Sequence, residues 1–396
     1  MINQELISKC VHCGFCLQAC PTYVLWGNEM DSPRGRIYLM NMLNEGQTAM
    51  TPDFVQHMDT CLGCVSCMTA CPSGVNYGKL IEETRAEIEH KYTRPLRDRI
   101  VRWSILHTFP NVGLLKLGRV FLSAYQKLGL PSPSELMPKL GKREEVAGVT
   151  PAQGAKRARV GLMLGCVQRE FLPEINAATV RVLTAEGCEV VAPAEQPCCG
   201  ALLMHAGKDK EALALTNRLY ATFEKAGVDV IITNAGGCGS HLKEFSEGFK
   251  GKVKDVAEFL VELGPRAERH PVAKCVAYHD SCHLQHAQQV RRQPRELLAG
   301  IPGLTVAEMP EGALCCGSAG IYNLVQPATA NELGDRKARF IQAIGPDAVA
   351  TGNVGCILQM QAALARQDGG QPPVMHTIQL LDESIRRVAV ESGSRG

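Results

Sequence analysis

Two short runs near the amino terminus limit what this chain can become. "CVHCGFCLQACP" carries Cys10, Cys13, Cys16 and Cys20 ahead of Pro21, and "CLGCVSCMTACP" carries Cys61, Cys64, Cys67 and Cys71 ahead of Pro72. Packing alone does not call for four thiols on so short a loop. A chain of 396 residues buries enough apolar surface to fold without disulfide staples. The opening "MINQELISKC" has no basic segment followed by an apolar stretch. The 18 cysteines therefore predict a reducing, cytoplasmic setting, where clustered thiols are metal ligands or redox groups.

Both runs have the spacing of the bacterial ferredoxin motif. Three thiolates on one tight turn can cap three irons of a cubane, and the nearby fourth reaches the other cluster. That predicts two [4Fe-4S] clusters, one on Cys10, Cys13, Cys16 and Cys71, the other on Cys61, Cys64, Cys67 and Cys20. The alternative, two structural zinc sites, usually shows paired knuckles rather than a run of four. Between the runs, "DSPRGRIYLMNML" predicts a helix with Ser32 as N-cap and Pro33 at its first position. Arg34 and Arg36 would then lie near the clusters and offset their negative charge; the alternative is two solvated arginines. His12 and Phe15 are expected to pack against the first cluster.

The cysteines fall into two regimes: eight before residue 72, none until Cys166, then ten. Residues 72 to about 92 predict a helix with Ile81, Thr84, Arg85 and Ile88 on one face. The proline-rich, polar stretch 131–157 predicts a linker. Beyond it lies an internal repeat. Cys166 and Cys282 end apolar runs at an offset of 116, the pairs Cys198–Cys199 and Cys315–Cys316 are offset by 117, and Cys238 and Cys356 by 118. The runs "VGLMLG", "EVVAP" and "DVIIT" in one copy, and "CVAYH", "LTVAEM" and "DAVAT" in the other, predict strands of parallel sheets covered on both faces. Ligands bind beyond the carboxyl ends of such strands. Each copy is expected to gather its own thiol set there: Cys166, Cys198, Cys199 and Cys238, and separately Cys282, Cys315, Cys316 and Cys356. The glycine after each double cysteine is expected to let the backbone approach the ligand. The predicted organisation is an α-helical ferredoxin domain (1–95), a helical connector and linker (96–157), and two α/β units (158–270 and 271–396).

Other candidates are weaker. Cys188 and Cys275 read as buried small hydrophobes. "YHDSCHLQHAQ" surrounds Cys282 with His279, Asp280, His283 and His286. It suggests a Cys-His pair or a mixed metal site, against the plainer expectation of helix capping by Asp280 or Ser281 with His283 near a cluster. His205 is expected no closer than the neighbourhood of a cluster. Residues 111–130, with Lys116, Arg119 and Lys127 among apolar residues, predict a helix packed between the two halves, or else a membrane-surface or partner-docking helix. A net charge of +2 offers no field to recruit nucleic acid. With no G-x-G-x-x-G loop, no P-loop and no flavin site evident, the chain is expected to move single electrons supplied by a partner.

Taken together, two C-x-x-C-x-x-C-x-x-x-C-P runs followed by two repeats of the form C, CCG, C resemble the family of iron–sulfur subunits of bacterial glycolate oxidase. "CVHCGFC", "PTY", "DSPRGRIYL", "CPSGV", "NAGGCG", "LQHAQ" and "CCGSAG" carry the resemblance, which covers essentially the whole chain. It implies CCG-type cysteine-rich domains and a complex in which flavin-containing subunits oxidise glycolate to glyoxylate. This subunit would pass the electrons towards the quinone pool, with peripheral contact at the cytoplasmic face of the inner membrane. Iron–sulfur subunits of lactate and glycerol-3-phosphate dehydrogenases and heterodisulfide reductase share the architecture, so a lactate or glycerol-3-phosphate dehydrogenase subunit, or a thiol reductase-like catalytic subunit, is the alternative. In heterodisulfide reductases each repeat ends in C-x-x-C; here Ala235 and Asn353 stand at the first position of that pair. Four thiolates per repeat remain, enough for a further iron–sulfur centre or a metal ion, and disulfide chemistry is correspondingly disfavoured.

Overall fold

The structure, a computed structural model, describes residues 2–132, 134–141, 144–245 and 247–386. Linker positions 133, 142 and 143 and the last ten residues assigned to the second repeat lie outside the described residues.

In the amino-terminal region short helices wrap two cysteine loops. The helix Pro33–Asn44 starts as its sequence predicts: Ser32 Oγ accepts from the Gly35 amide at 3.0 Å, and Pro33 fills a position whose N–H would have no intrahelical partner. The next predicted helix begins later than residue 72. Asn76 caps Tyr77–Lys91 through the Lys79 amide at 3.1 Å, and the residues before it form the turn leaving the second cysteine loop. Ile81, Thr84 and Ile88 bury its inner face.

Two sheets follow. The first contains β1 (Val149–Thr150), β2 (Ala158–Leu162), β3 (Cys188–Val191), β4 (Val230–Thr233) and β5 (Val253–Asp255), in the order β1-β3-β2-β4-β5. The second contains β6 (Lys274–Tyr278), β7 (Leu304–Glu308), β8 (Ala348–Thr351) and β9 (Val374–His376), in the order β7-β6-β8-β9. All pairings are parallel except β1 against β3. Setting β1 aside, the repeats share one topology, and all six strands expected from apolar runs are present. β1 lies within the stretch read as linker, so the first sheet extends upstream of residue 158.

The repeats do not keep separate cores. Val160, Val182 and Val190 from the first merge with Val276, Leu298 and Ile357 from the second into one buried cluster. The helices Pro173–Ala185 and Thr377–Arg386 pack on each other, joined by Arg181 to Asp382 at 2.8 Å. Residues 111–130, expected to pack between the amino-terminal half and the half that holds the repeats, form a helix that lies against Leu96–Thr108 and Val167–Phe171 and leaves most of its surface exposed. In Val112–Lys127 only Leu115 is buried, while Leu117, Val120 and Phe121 face outward. Arg119 fastens this helix to the Glu170 carbonyl. Among the described residues no helix is long and apolar enough to cross a membrane.

Candidate iron–sulfur site

Both amino-terminal loops make the same turn. His12 and Gly14 in the first, and Gly63 and Val65 at the equivalent positions of the second, have left-handed backbones, with φ of 53°, 86°, 62° and 53°. Val65 is β-branched, and such a residue holds this conformation only where its surroundings enforce it. Alternating turns of this kind aim successive amides into one concavity, a geometry suited to a negatively charged group. Cys10, Cys13, Cys16 and Cys71 line one cavity of about 30 Å³. Cys20, Cys61 and Cys64 line a second of about 20 Å³, and Cys67 and Tyr77 border both.

The two arginines separate. Arg34 stays at the rim, donating to the His12 carbonyl at 2.9 Å and to Glu29 at 2.6 Å. Arg36 is fully buried and donates to the His57 carbonyl at 2.6 Å, to Thr22 and Thr60, and to Asp31 at 3.4 Å. Burial acts to raise the Cys61 thiol, but Arg36 and Arg85 outweigh it and hold the group below its ordinary value. Burial pushes Cys64 up to about 12.

In the repeats the cysteines stand where the strands end. Cys166 precedes the short helix Val167–Phe171 after β2, Cys238 lies in the first turn of Gly236–Phe245 after β4, and each double cysteine sits in the turn after the second strand of its repeat. Their counterparts Cys282 and Cys356 follow β6 and β8. Gly200 and Gly317 have φ of 96° and 93°, and a Cβ there would meet the Ala212 and Ala330 carbonyls at 2.5 Å. The glycine therefore lets the turn approach the long helix of its repeat, Asp209–Ala226 in the first and Pro327–Ile344 in the second.

Within each set the thiols touch in series: Cys166, Cys198, Cys199 and Cys238 in one, Cys282, Cys315, Cys316 and Cys356 in the other. Each repeat brings its own four thiols together, and all eight cysteines border one cavity of about 350 Å³ between the repeats. Ala235 and Asn353 line the same cavity, and Asn353 Nδ2 donates to Cys356 Sγ at 3.6 Å.

The ferredoxin-type loops dock on this cavity. Leu62 and Cys64 share a buried cluster with Cys282 and Cys315. Tyr322 Oη donates to the Thr60 carbonyl at 3.1 Å, and Thr69 Oγ1 pairs with His286 Nδ1 at 2.9 Å. Arg85 reaches both the His205 and Cys61 carbonyls.

The remaining candidates resolve individually. His283 Nδ1 lies 3.4 Å from Cys282 Sγ, and its ring packs 5.0 Å from that of His205, which pairs with Glu82 at 2.7 Å. The expected cap is absent. Asp280 is held by Arg295 at 2.7 and 2.9 Å, and Cys282 itself stands at the start of the turn His283–Ala287 without a side-chain cap. Cys188 is buried in the core; Cys275 is half-buried on β6. Phe15 is exposed and is not among the residues lining the cavity of Cys10, Cys13 and Cys16, whereas His12 lines it. His279, singled out only within its motif, touches Cys356, and Lys337, not singled out at all, is buried beside Cys315 and Cys316. Aligning the repeats reveals both, because they replace Met163 and Leu219.

These sets fit metal centres. All 18 cysteines are free thiols. Contact with Cys315, then burial, pushes Cys316 up to about 12, although its bond to Cys356 opposes this. Such thiols ionise only against a bound cation, and that is what a metal–thiolate centre supplies.

Fold and donors together define an iron–sulfur electron-transfer protein. Residues 6–75 match the 4Fe-4S dicluster domain family, and 160–243 and 276–361 each match the cysteine-rich domain family. The chain belongs to the family of glycolate oxidase iron–sulfur subunits. It is 34% identical to the probable glycolate oxidase iron–sulfur subunit of Bacillus subtilis and to the glycolate oxidase iron–sulfur subunit of Escherichia coli, in each case over 97% of this chain and 95% of the relative. A solved structure, a hypothetical protein from Helicobacter pylori, matches with a TM-score of 0.53 at 10% identity over 90% of this chain and 68% of that one, a likeness of fold alone.

Proposed function

We propose that this chain is the electron-transfer subunit of a complex that oxidises glycolate to glyoxylate, receiving electrons from flavin-containing subunits and delivering them towards quinone. The observation that carries this is the packing of Cys64 against Cys282 and Cys315, which makes one buried path from the ferredoxin-type loops to the cysteine-rich repeats. Iron–sulfur clusters, when bound, supply one-electron redox chemistry. The residues Cys10, Cys13, Cys16 and Cys71 would hold one cluster, and Cys61, Cys64, Cys67 and Cys20 the other; the two adjacent cavities support this partition. The eight repeat cysteines would hold further metal centres. Leu62 and Tyr322 exclude water from the junction. Ala235 and Asn353, where a fifth thiolate is missing, favour electron transfer over disulfide reduction.

The substrate is tested on the intact complex. Anaerobic addition of glycolate is expected to bleach the absorbance near 400 nm faster than lactate or glycerol 3-phosphate does. Equal or faster bleaching by lactate would assign the complex to that substrate instead.

A further inference from the structure

The two cysteine sites are not chemical copies. The offset that carries Cys166 onto Cys282 carries Met163 onto His279. In the second site the series of thiols does not end at Cys356, because the His279 ring is in hydrogen-bonding contact with that sulfur. A ring nitrogen of His279 and the sulfurs of Cys316 and Cys356 all lie within 4.8 Å of one another. His279 is 1% exposed, and its Nδ1 has no hydrogen-bond partner. Leaving such an atom without a partner in the core is unfavourable. Metal–nitrogen and metal–sulfur bonds of about 2.0–2.3 Å would let donors this close share one metal. The main chain fixes the ring's origin, since the His279 amide at the end of β6 donates to the Ala350 carbonyl of β8 at 2.9 Å. Asn353 offers no thiolate to compete for the place.

We propose that His279 is a nitrogen ligand of the metal centre at the second cysteine site, giving it with Cys316 and Cys356 a mixed nitrogen–sulfur donor set that the first site lacks. This rests on the reading that the repeat cysteines hold metal. Imidazole in place of thiolate makes a centre less negative, and in iron–sulfur centres histidine ligation raises the potential. The second site, which faces Cys64, is then the better electron acceptor of the two.

The test uses full-length protein labelled with ¹⁵N-histidine and loaded anaerobically with ferrous iron and sulfide. Pulsed EPR is recorded in oxidised and reduced states, and iron and zinc are counted. A zinc-loaded batch is measured by zinc X-ray absorption. The expected result is a histidine ¹⁵N coupling, or a nitrogen in the zinc shell. It is lost in His279→Cys at an unchanged metal count and kept in His283→Ala and His286→Ala. Sulfur-only coordination in wild-type protein with the repeat sites filled overturns the inference and leaves the metal sites standing. Metal content no greater than two cubane clusters overturns both. A nitrogen signal that survives in His279→Cys also overturns it. The wild-type spectrum decides the first two outcomes even where a variant fails to fold.

Discussion

The guanidinium of Arg36 reaches Cys20 Sγ at 3.9 Å from inside the core, with the Asp31 carboxylate 3.4 Å away on its other side. Burial works against the charge, yet Cys61, Tyr77, Cys20 and Asp31 hold Arg36 more basic than an ordinary arginine. A fixed positive charge at that range favours the reduced, more negative state of whatever Cys20 and Cys61 ligate. Arg36→Met is expected to lower the reduction potential there by on the order of 100 mV, read by EPR-monitored titration, while Arg36→Lys keeps most of it. An unchanged potential in Arg36→Met would show that the arginine is structural only.

Cys20 and Cys71 give a direct check of ligand exchange between the loops. Cys20 borders the cavity of the second run and Cys71 that of the first. Cys20→Ser is therefore expected to perturb the cluster on Cys61, Cys64 and Cys67, and Cys71→Ser the one on Cys10, Cys13 and Cys16. Pairing each substitution with Cys64→Ser or Cys13→Ser identifies the altered EPR signal. If Cys20→Ser changes the same signal as Cys13→Ser, each run holds its own cluster.

Much of this architecture is legible in the sequence because its signals are local. Consecutive apolar residues mark β2, β4, β6 and β8, and Ser32-Pro33 marks a helix start. β1 is hidden, since two residues in a polar stretch become a strand only by pairing with Val190 and Val191. The shared cavity is hidden too: an offset of repeats carries no information about which ends of two sheets face each other. His279 does not stand apart from its motif in the sequence, because it follows an apolar run and its counterpart, Met163, is an ordinary core residue.

Gly200 and Gly317 carry a conformational demand that alanine cannot meet. A left-handed backbone costs a non-glycine residue about 1–2 kcal/mol, and a Cβ 2.5 Å from a carbonyl adds overlap. Gly317→Ala is expected to destabilise the protein by about 2–4 kcal/mol, seen as a lower Tm and less metal retained in the repeats. A wild-type Tm would mean that the turn relaxes freely.

Asp255 caps Val256–Leu263 through the Ala257 amide at 2.8 Å, but its Oδ2 is buried without a partner. Burial, only partly offset by that amide bond and Lys243, raises its pKa to about 7. A carboxyl more basic folded than unfolded binds its proton more tightly in the native state. Its contribution is thus greatest below the unfolded value and declines as pH rises towards about 7. Asp255→Asn keeps the cap and removes the titration. The variant is expected to gain Tm relative to wild type as pH rises from 5.5 to 8, and a pH-independent difference would refute the buried charge.

The outer face of the connector bears on location. Leu117, Val120 and Phe121 are exposed on Val112–Lys127, as are Ile100 and Trp103 on the preceding helix Leu96–Thr108, and the basic residues Arg97, Arg99, Lys116 and Lys127 of the same two helices are exposed too. An apolar stripe edged by cations suits the surface of an anionic bilayer. Phe121→Asp removes apolar area and adds repulsion without touching the core, so stability should stay within about 0.5 kcal/mol of wild type. Sedimentation with vesicles containing anionic lipid is expected to fall several-fold, and to fall in wild type as salt is raised. Sedimentation indifferent to both would remove this face as a membrane contact and leave it to another subunit of the complex.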